Sequence, residues 1–241
     1  MKDLRAWPLG WMAMNSPERC WQQGPDRLAI DDGVLDLWRF PLAERAVEDV
    51  HRQLLSAQEL DRAGKLLVEQ KRTEFILCRA TIRRILSRYL ASAPEQLAFT
   101  TLEHGKPVLA ADVHDRPLSF NLSHAGGWGL LAVTSGAAVG VDIELIDAQL
   151  NFFGIASRFF TRHEQNELDS YPAVRQRRGF YRLWTRKEAL LKMSGSGFYG
   201  VGKGPAEQAD YLQHLVVGPG YVATVAVAAA IRTWHCYQFA P

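Results

Sequence analysis

The sequence predicts an α+β fold made of two halves of similar plan, on three observations. Its segments run strand, helix, strands, and then strand, helices, strands again. At 241 residues and 47% hydrophobic content, the chain can bury one large core or two small ones. No low-complexity stretch or long linker separates the halves, so they are expected to pack closely. The seam is expected near Ser135–Val139, which gives halves of residues 1–135 and 136–241 with no residue-by-residue repeat between them.

The elements follow in chain order. Gly33–Phe40 alternates Val34, Asp36 and Trp38 imperfectly with Leu35, Leu37 and Phe40, and Pro41 ends it as a strand. A helical pattern starts at Ser56, which with Glu59 has the spacing of a capping box. Leu60, Leu67, Phe75, Leu77, Ile82, Ile85, Leu86 and Tyr89 carry its apolar period, and Gly64 is a weak point that leaves one broken helix or two. EQLAFTTL reads as a strand and EHGKP as a turn. RPLSFNLSHAGGWGLLAVTS gives a short strand, a polar bend and a second strand at Trp128–Thr134. The tight SGAAVG connection leads to Val139–Ile146, and the two strands it joins are expected to pair as a hairpin. Beyond it, NFFGIASRFFTRHEQNEL is helical, with Thr161 and Glu164 as a fresh cap. Another helix spans about Val174–Met193 and stops at SGSG. Three strands are expected in the tail, at Tyr211–Val217, Tyr221–Ala229 and Thr233–Phe239.

Composition narrows the function classes. The 28 basic and 26 acidic residues nearly cancel to +2, so net charge points to no nucleic-acid partner. Cys20, Cys78 and Cys236 are odd in number and lack ligand spacing, as expected of reduced thiols. The first residues lack the apolar core of a signal peptide, and YVATVAVAAAI is too short to cross a bilayer. A cytoplasmic protein with no membrane contact is expected.

Chemistry concentrates in three stretches. In GVDIELID, Val141, Ile143 and Leu145 form one face of a strand, so Asp142 and Glu144 point together from the other. A wet sheet face is the ordinary explanation of such a pair. Two adjacent carboxylates on a strand also suit a bridging cation, and oxygen donors favour Mg²⁺ or Mn²⁺ over zinc. In LWTRKEALLKMSGSG, Trp184, Glu188 and Lys192 share a helix face at i, i+4 and i+8, with Lys187 about 100° away. A surface ion pair is the simplest use of Glu188 and Lys192; a tryptophan, two lysines and a glycine-rich exit together fit a surface that closes over a phosphate. In FNLSHAGGW, Ser123 and His124 lie beside a glycine-rich bend where side chains and backbone N–H groups can converge on an anion. Lys106 stands on the HGKP turn. Arg72, Arg79 and Arg83 form one helical stripe, for which solvent exposure is the ordinary expectation.

GVDIE, then RFFTRHE, then LWTRKEALLKMSGSG, with HGKP and NLSH upstream, resemble the 4'-phosphopantetheinyl transferases of the Sfp type from about Arg72 to Gly197. The resemblance implies two α+β halves related by a pseudo-twofold axis, a ligand in the cleft between them, and a monomer. It implies transfer of the phosphopantetheine arm of coenzyme A to a serine of an apo acyl or peptidyl carrier protein, with release of adenosine 3',5'-bisphosphate. Asp142, Glu144 and Glu188 would then hold Mg²⁺, or Mn²⁺. Lys187 and Lys192 would bind phosphates, while Lys106, Ser123 and His124, loosely joined by Arg72 and Arg79, would hold the nucleotide end. Glu164 matches the glutamate to which loss of the serine proton is attributed. The carrier would meet Arg158, Arg162 and nearby apolar residues. The chain departs from the family in having LID after GVDIE, where a basic residue is common, and Ala125 after the Ser-His pair. A catalytically silent coenzyme A-binding module and a metal-dependent phosphodiesterase are the alternatives.

Overall fold

A computed structural model describes residues 21–42, 46–90, 92–102, 105–110, 117–195 and 209–240. Cys20 and the SGSG residues beyond Gly195 lie outside the described residues. The elements are β1 (Gln22–Gln23), β2 (Val34–Pro41), α1 (Asp49–Gln53), α2 (Ala57–Gly64), α3 (Glu69–Leu86), β3 (Phe99–Thr101), β4 (Pro107–Leu109), β5 (Leu118–Ala125), β6 (Trp128–Ser135), β7 (Val139–Leu145), α4 (Phe152–Phe159), α5 (Arg162–Asp169), α6 (Ala173–Ser194), β8 (Tyr211–Leu215), β9 (Tyr221–Val227) and β10 (Thr233–Gln238). The fold is α+β. No described helix is long and apolar enough to cross a membrane.

Alternation along the strands sorts these elements into four layers. One face of a five-stranded sheet, ordered β1-β10-β2-β6-β5, sends Trp38, Phe40, Phe120, Leu131 and Val133 onto Leu77, Ile82 and Ile85 of α3. Its other face sends Leu35, Leu37, Leu130 and Ala132 onto Val139, Val141, Ile143 and Val225 of a three-stranded sheet, ordered β7-β9-β8. Helix α6 covers the far side of that second sheet. Strand β2 is buried on both faces, which explains why its apolar alternation is imperfect in the sequence.

Local chemistry sets the element ends. Ser56 and Glu59 form the reciprocal capping box at the start of α2, and Thr161 and Glu164 form the same box on α5. The helical pattern resolves into two helices, α2 ending at Gly64 and α3 starting at Glu69. Helix α6 stops where Gly195 turns left-handed, at φ 76°.

One expected pairing is overturned. Strands β6 and β7 do not form a hairpin. Gly126 and Gly127, at φ 55° and 83°, make a two-residue turn that pairs β6 with β5, and β2 takes the other edge of β6. With both edges of β6 filled, the chain swings through Gly136 and joins the second sheet, where β7 pairs antiparallel with β9. The chain thus passes from one sheet to the other at Ser135–Val139. Strand β10 returns to the first sheet and runs parallel to both β2 and β1.

Candidate active site

The site forms where β5, at the edge of the first sheet, meets β7, at the edge of the second. Side chains join these edges: Asn121 Oδ1 accepts from the Val141 amide at 2.9 Å, and Ser123 Oγ donates to Asp142 Oδ1 at 2.9 Å. Asn121 and Ser123 are both buried. Asn121 is a positioning residue that the sequence offered no means of singling out, since its partner is a backbone amide twenty residues away.

Asp142 and Glu144 do project together from β7, but their face is not open to water. Helix α6 covers it, leaving Asp142 3% exposed. Close approach is possible because Gly140 has no side chain; a Cβ there would lie 2.0 Å from the Ala189 carbonyl oxygen and 2.3 Å from the Met193 nitrogen. The same approach brings Lys192 to the strand. Its ammonium donates to Asp142 Oδ1 at 2.6 Å and to Ser123 Oγ at 3.0 Å.

Burial raises the pKa of all three carboxyls, and the Asp142 charge adds to the rise of Glu144 and Glu188. Burial raises Asp142, opposed by Lys192 and Ser123. Burial and then the Asp142 charge push Glu144 up to about 6, against Lys192 and a hydrogen bond from Trp184. Glu188 is pushed up to about 7 by burial and then Asp142, with Lys192 opposing and Glu144 adding to the rise. The Asp142 charge thus raises both Glu144 on its own strand and Glu188 across the β7–α6 interface.

Among the described residues, no three His, Cys, Asp or Glu side chains gather closely enough to hold a metal ion. Lys192 takes up Asp142 Oδ1. The donors nevertheless have the chemistry a hard cation requires: Asp142 Oδ2 is buried with no hydrogen-bond partner, and two further carboxyls are destabilised by nearby negative charge.

The other expected site residues divide. Lys187 pairs with Glu164, donating to its two carboxylate oxygens at 3.1 and 2.8 Å. Burial pushes Glu164 up, but the Lys187 hydrogen bond and the Thr161 cap outweigh it and hold the carboxyl below its usual range. Trp184 packs in a cluster of rings with Phe159, Phe160 and Phe180, where it also supports Glu144. His124 lies near the end of β5, where partial desolvation of the ring lowers its pKa, with Glu74 opposing and Lys71 and Lys192 adding to the fall.

Lys106, Arg72 and Arg79 face backbone or buried partners. Lys106 donates to the carbonyls of Val139, Lys192 and Met193 at 3.0, 2.6 and 3.4 Å. Arg72 donates to the Leu66 carbonyl, closing the turn between α2 and α3. Arg79 and Arg83 pair with the buried Glu59 at 3.0 and 2.7 Å. Arg83 is 2% exposed, so the arginine stripe is not a solvated face. Arg158 and Arg162 are exposed on α4 and α5, with Arg158 over the Phe159 ring.

Hard oxygen donors beside the Lys192 ammonium suit a site that handles phosphate esters. Comparison with known proteins agrees. Residues 138–213 match the family model described as "4'-phosphopantetheinyl transferase superfamily", and residues 45–136 match "4'-phosphopantetheinyl transferase, N-terminal". The chain is 32% identical to the 4'-phosphopantetheinyl transferase HetI of Nostoc sp., over 90% of this chain and 99% of that protein. It is 34% identical to a putative 4'-phosphopantetheinyl transferase (slr0495) of Synechocystis sp., over 68% of this chain and 66% of that one. With the 4'-phosphopantetheinyl transferase psf-1 of Bacillus pumilus the identity is 41%, over 57% and 56%. The chain belongs to the 4'-phosphopantetheinyl transferase superfamily.

Proposed function

We propose that the protein transfers the 4'-phosphopantetheine group of coenzyme A to a serine of an apo acyl or peptidyl carrier protein, releasing adenosine 3',5'-bisphosphate. One observation carries the reading. The Asp142, Ser123 and Lys192 cluster joins the two sheets, with Glu144 and Glu188 coupled to it, in a chain whose two halves match the two family models. We take residues 1–135 and 136–241 as those halves, in the Sfp-type arrangement, acting as a monomer.

In this reading Asp142, Glu144 and Glu188 would hold Mg²⁺, which would supply positive charge to offset that on the pyrophosphate oxygens. Lys192, held beside Asp142 and Ser123, offers its ammonium to offset charge on the transferred phosphoryl group or the departing bisphosphate. Ser123 and His124 contact the nucleotide end. Arg72 and Arg79 take no part, because their guanidinium groups are already bound within the α2–α3 unit.

The carrier serine must lose a proton as it attacks. Glu164 is ionised in the free protein but held by Lys187. A ligand phosphate that draws Lys187 away leaves that carboxylate free and raises its pKa, and the serine proton moves to it. The released bisphosphate takes the electron pair of the broken P–O bond.

Incubation with coenzyme A and Mg²⁺, with and without an apo carrier, tests the function by mass spectrometry. A mass gain on the carrier equal to the phosphopantetheine arm is expected. Coenzyme A breakdown without carrier indicates a phosphodiesterase, and no change in either tube indicates a binding module. A panel of fatty-acid, polyketide and peptide-synthetase carriers identifies the preferred partner.

A further inference from the structure

Lys106 has a place in the fold that its motif does not announce. It ends a tight turn in the first half, in which the Gly105 amide donates to the Leu102 carbonyl and the Leu102 amide to the Lys106 carbonyl. From that turn its ammonium reaches three carbonyl oxygens of the second half: Val139 at 3.0 Å, Lys192 at 2.6 Å and Met193 at 3.4 Å. An ammonium has three N–H donors, and here each has an acceptor.

The three acceptors lie on the two elements that carry the site. Val139 opens β7, three residues before Asp142. Lys192 and Met193 are in the last turn of α6, whose terminal carbonyls lack helical partners and carry the negative end of the helix dipole. This is also where Gly140 lets the two backbones touch, because a Cβ would overlap Ala189 and Met193. A cation capping the helix at that contact fixes how far α6 can slide along β7. The sliding coordinate is the one that sets Lys192 against Asp142.

We propose that Lys106 is a positioning residue that holds β7 and α6 in the register that the Asp142–Lys192 pair requires, and that it is not a ligand of the nucleotide phosphates. This deepens the transferase reading and rests on it. The Lys106 ammonium stays with the three carbonyls whether or not coenzyme A is bound. Its effect on the reaction runs through Lys192 and Asp142.

Kinetics of Lys106→Met and Lys106→Arg with coenzyme A and with 3'-dephospho-coenzyme A separate the two roles, thermal unfolding being recorded alongside. A misplaced pair lowers kcat in Lys106→Met by about 10- to 100-fold, with KM for coenzyme A and the preference for the 3'-phosphate unchanged. Lys106→Arg, which keeps charge and donors, restores part of kcat. A rise in KM with loss of the 3'-phosphate preference at constant kcat overturns the proposal. Should Lys106→Met fail to fold, reductive methylation of the wild-type protein, read by peptide mass, decides the matter. A positioning Lys106 is equally slow to react with and without coenzyme A; one that reacts fast alone and is protected by coenzyme A is a ligand contact. Wild-type protein inactive toward every apo carrier sinks the transferase reading, while the methylation result still reports on Lys106.

Discussion

Lys192 places its ammonium 2.6 Å from Asp142 Oδ1, joining the last turn of α6 to the middle of β7. The pair sits at the junction of the two sheets, and Ser123 of the first sheet bonds to both partners. Asp142→Asn keeps the shape of this junction and removes the charge. Transfer is expected to fall by about 100-fold or more, on the scale seen when a preorganised charge is removed from an active site. Unchanged turnover in a carrier-loading assay would exclude Asp142 from the reaction.

The raised carboxyls give stability a definite pH dependence. Glu144 and Glu188 move from an ordinary 4.5 to about 6 and about 7, so the fold favours their protonated forms. Their stabilisation is complete below 4.5 and is lost as pH rises through 6 and then 7. In metal-free protein, the Tm advantage of the Glu144→Gln/Glu188→Gln double variant over wild type is expected to grow between pH 5 and pH 8. Mg²⁺ should raise the wild-type Tm more at pH 8 than at pH 5, and should leave the double variant unmoved. A Tm difference independent of pH and Mg²⁺ contradicts the carboxyl coupling.

Glu164→Gln removes a proton acceptor but keeps an oxygen for the Thr161 cap. Transfer is expected to fall by about 100-fold with little change in KM for coenzyme A. Turnover at the wild-type rate assigns Glu164 to holding Lys187 alone.

Glu59 bears two guanidinium groups inside the first half. Replacing it by alanine leaves Arg79 and Arg83 buried without a counter-charge and removes the α2 capping box. A loss of about 3–5 kcal/mol in denaturant unfolding is expected. At temperatures where the variant is folded, KM for coenzyme A should stay within about twofold, because the triad supports packing and not the ligand. A large rise in KM would return Arg79 to the nucleotide pocket.

These residues show what the sequence could convey. The alternation of GVDIELID placed Asp142 and Glu144 on one face, because strand period is local. The same locality made both capping boxes, the break at Gly64 and the left-handed stop at Gly195 legible. Helical spacing put Trp184, Glu188 and Lys192 on one stripe, but it could not show that Trp184 packs among phenylalanines while Lys192 crosses to Asp142. Glu59 was visible as a cap. Its two arginine partners were not, since that ion triad depends on how α2 lies against α3. The β6–β7 hairpin failed for a related reason: a short glycine-bearing link suits a turn within one sheet as well as a step between two. What decided it was the rival Gly126–Gly127 turn, which had already filled that edge of β6.

Strand β10 lies between β1 and β2, with its backbone bonded to both. During synthesis, β2 is therefore made long before its parallel neighbour exists. It must wait for residues 233–238 to clear the ribosome, with one edge bare in the meantime. A chain halted shortly after α6 would already carry every carboxylate and lysine of the site, but its first sheet would still lack the inner strand β10 and its second sheet β8 and β9. Activity should accordingly emerge late and abruptly in a nascent-chain length series.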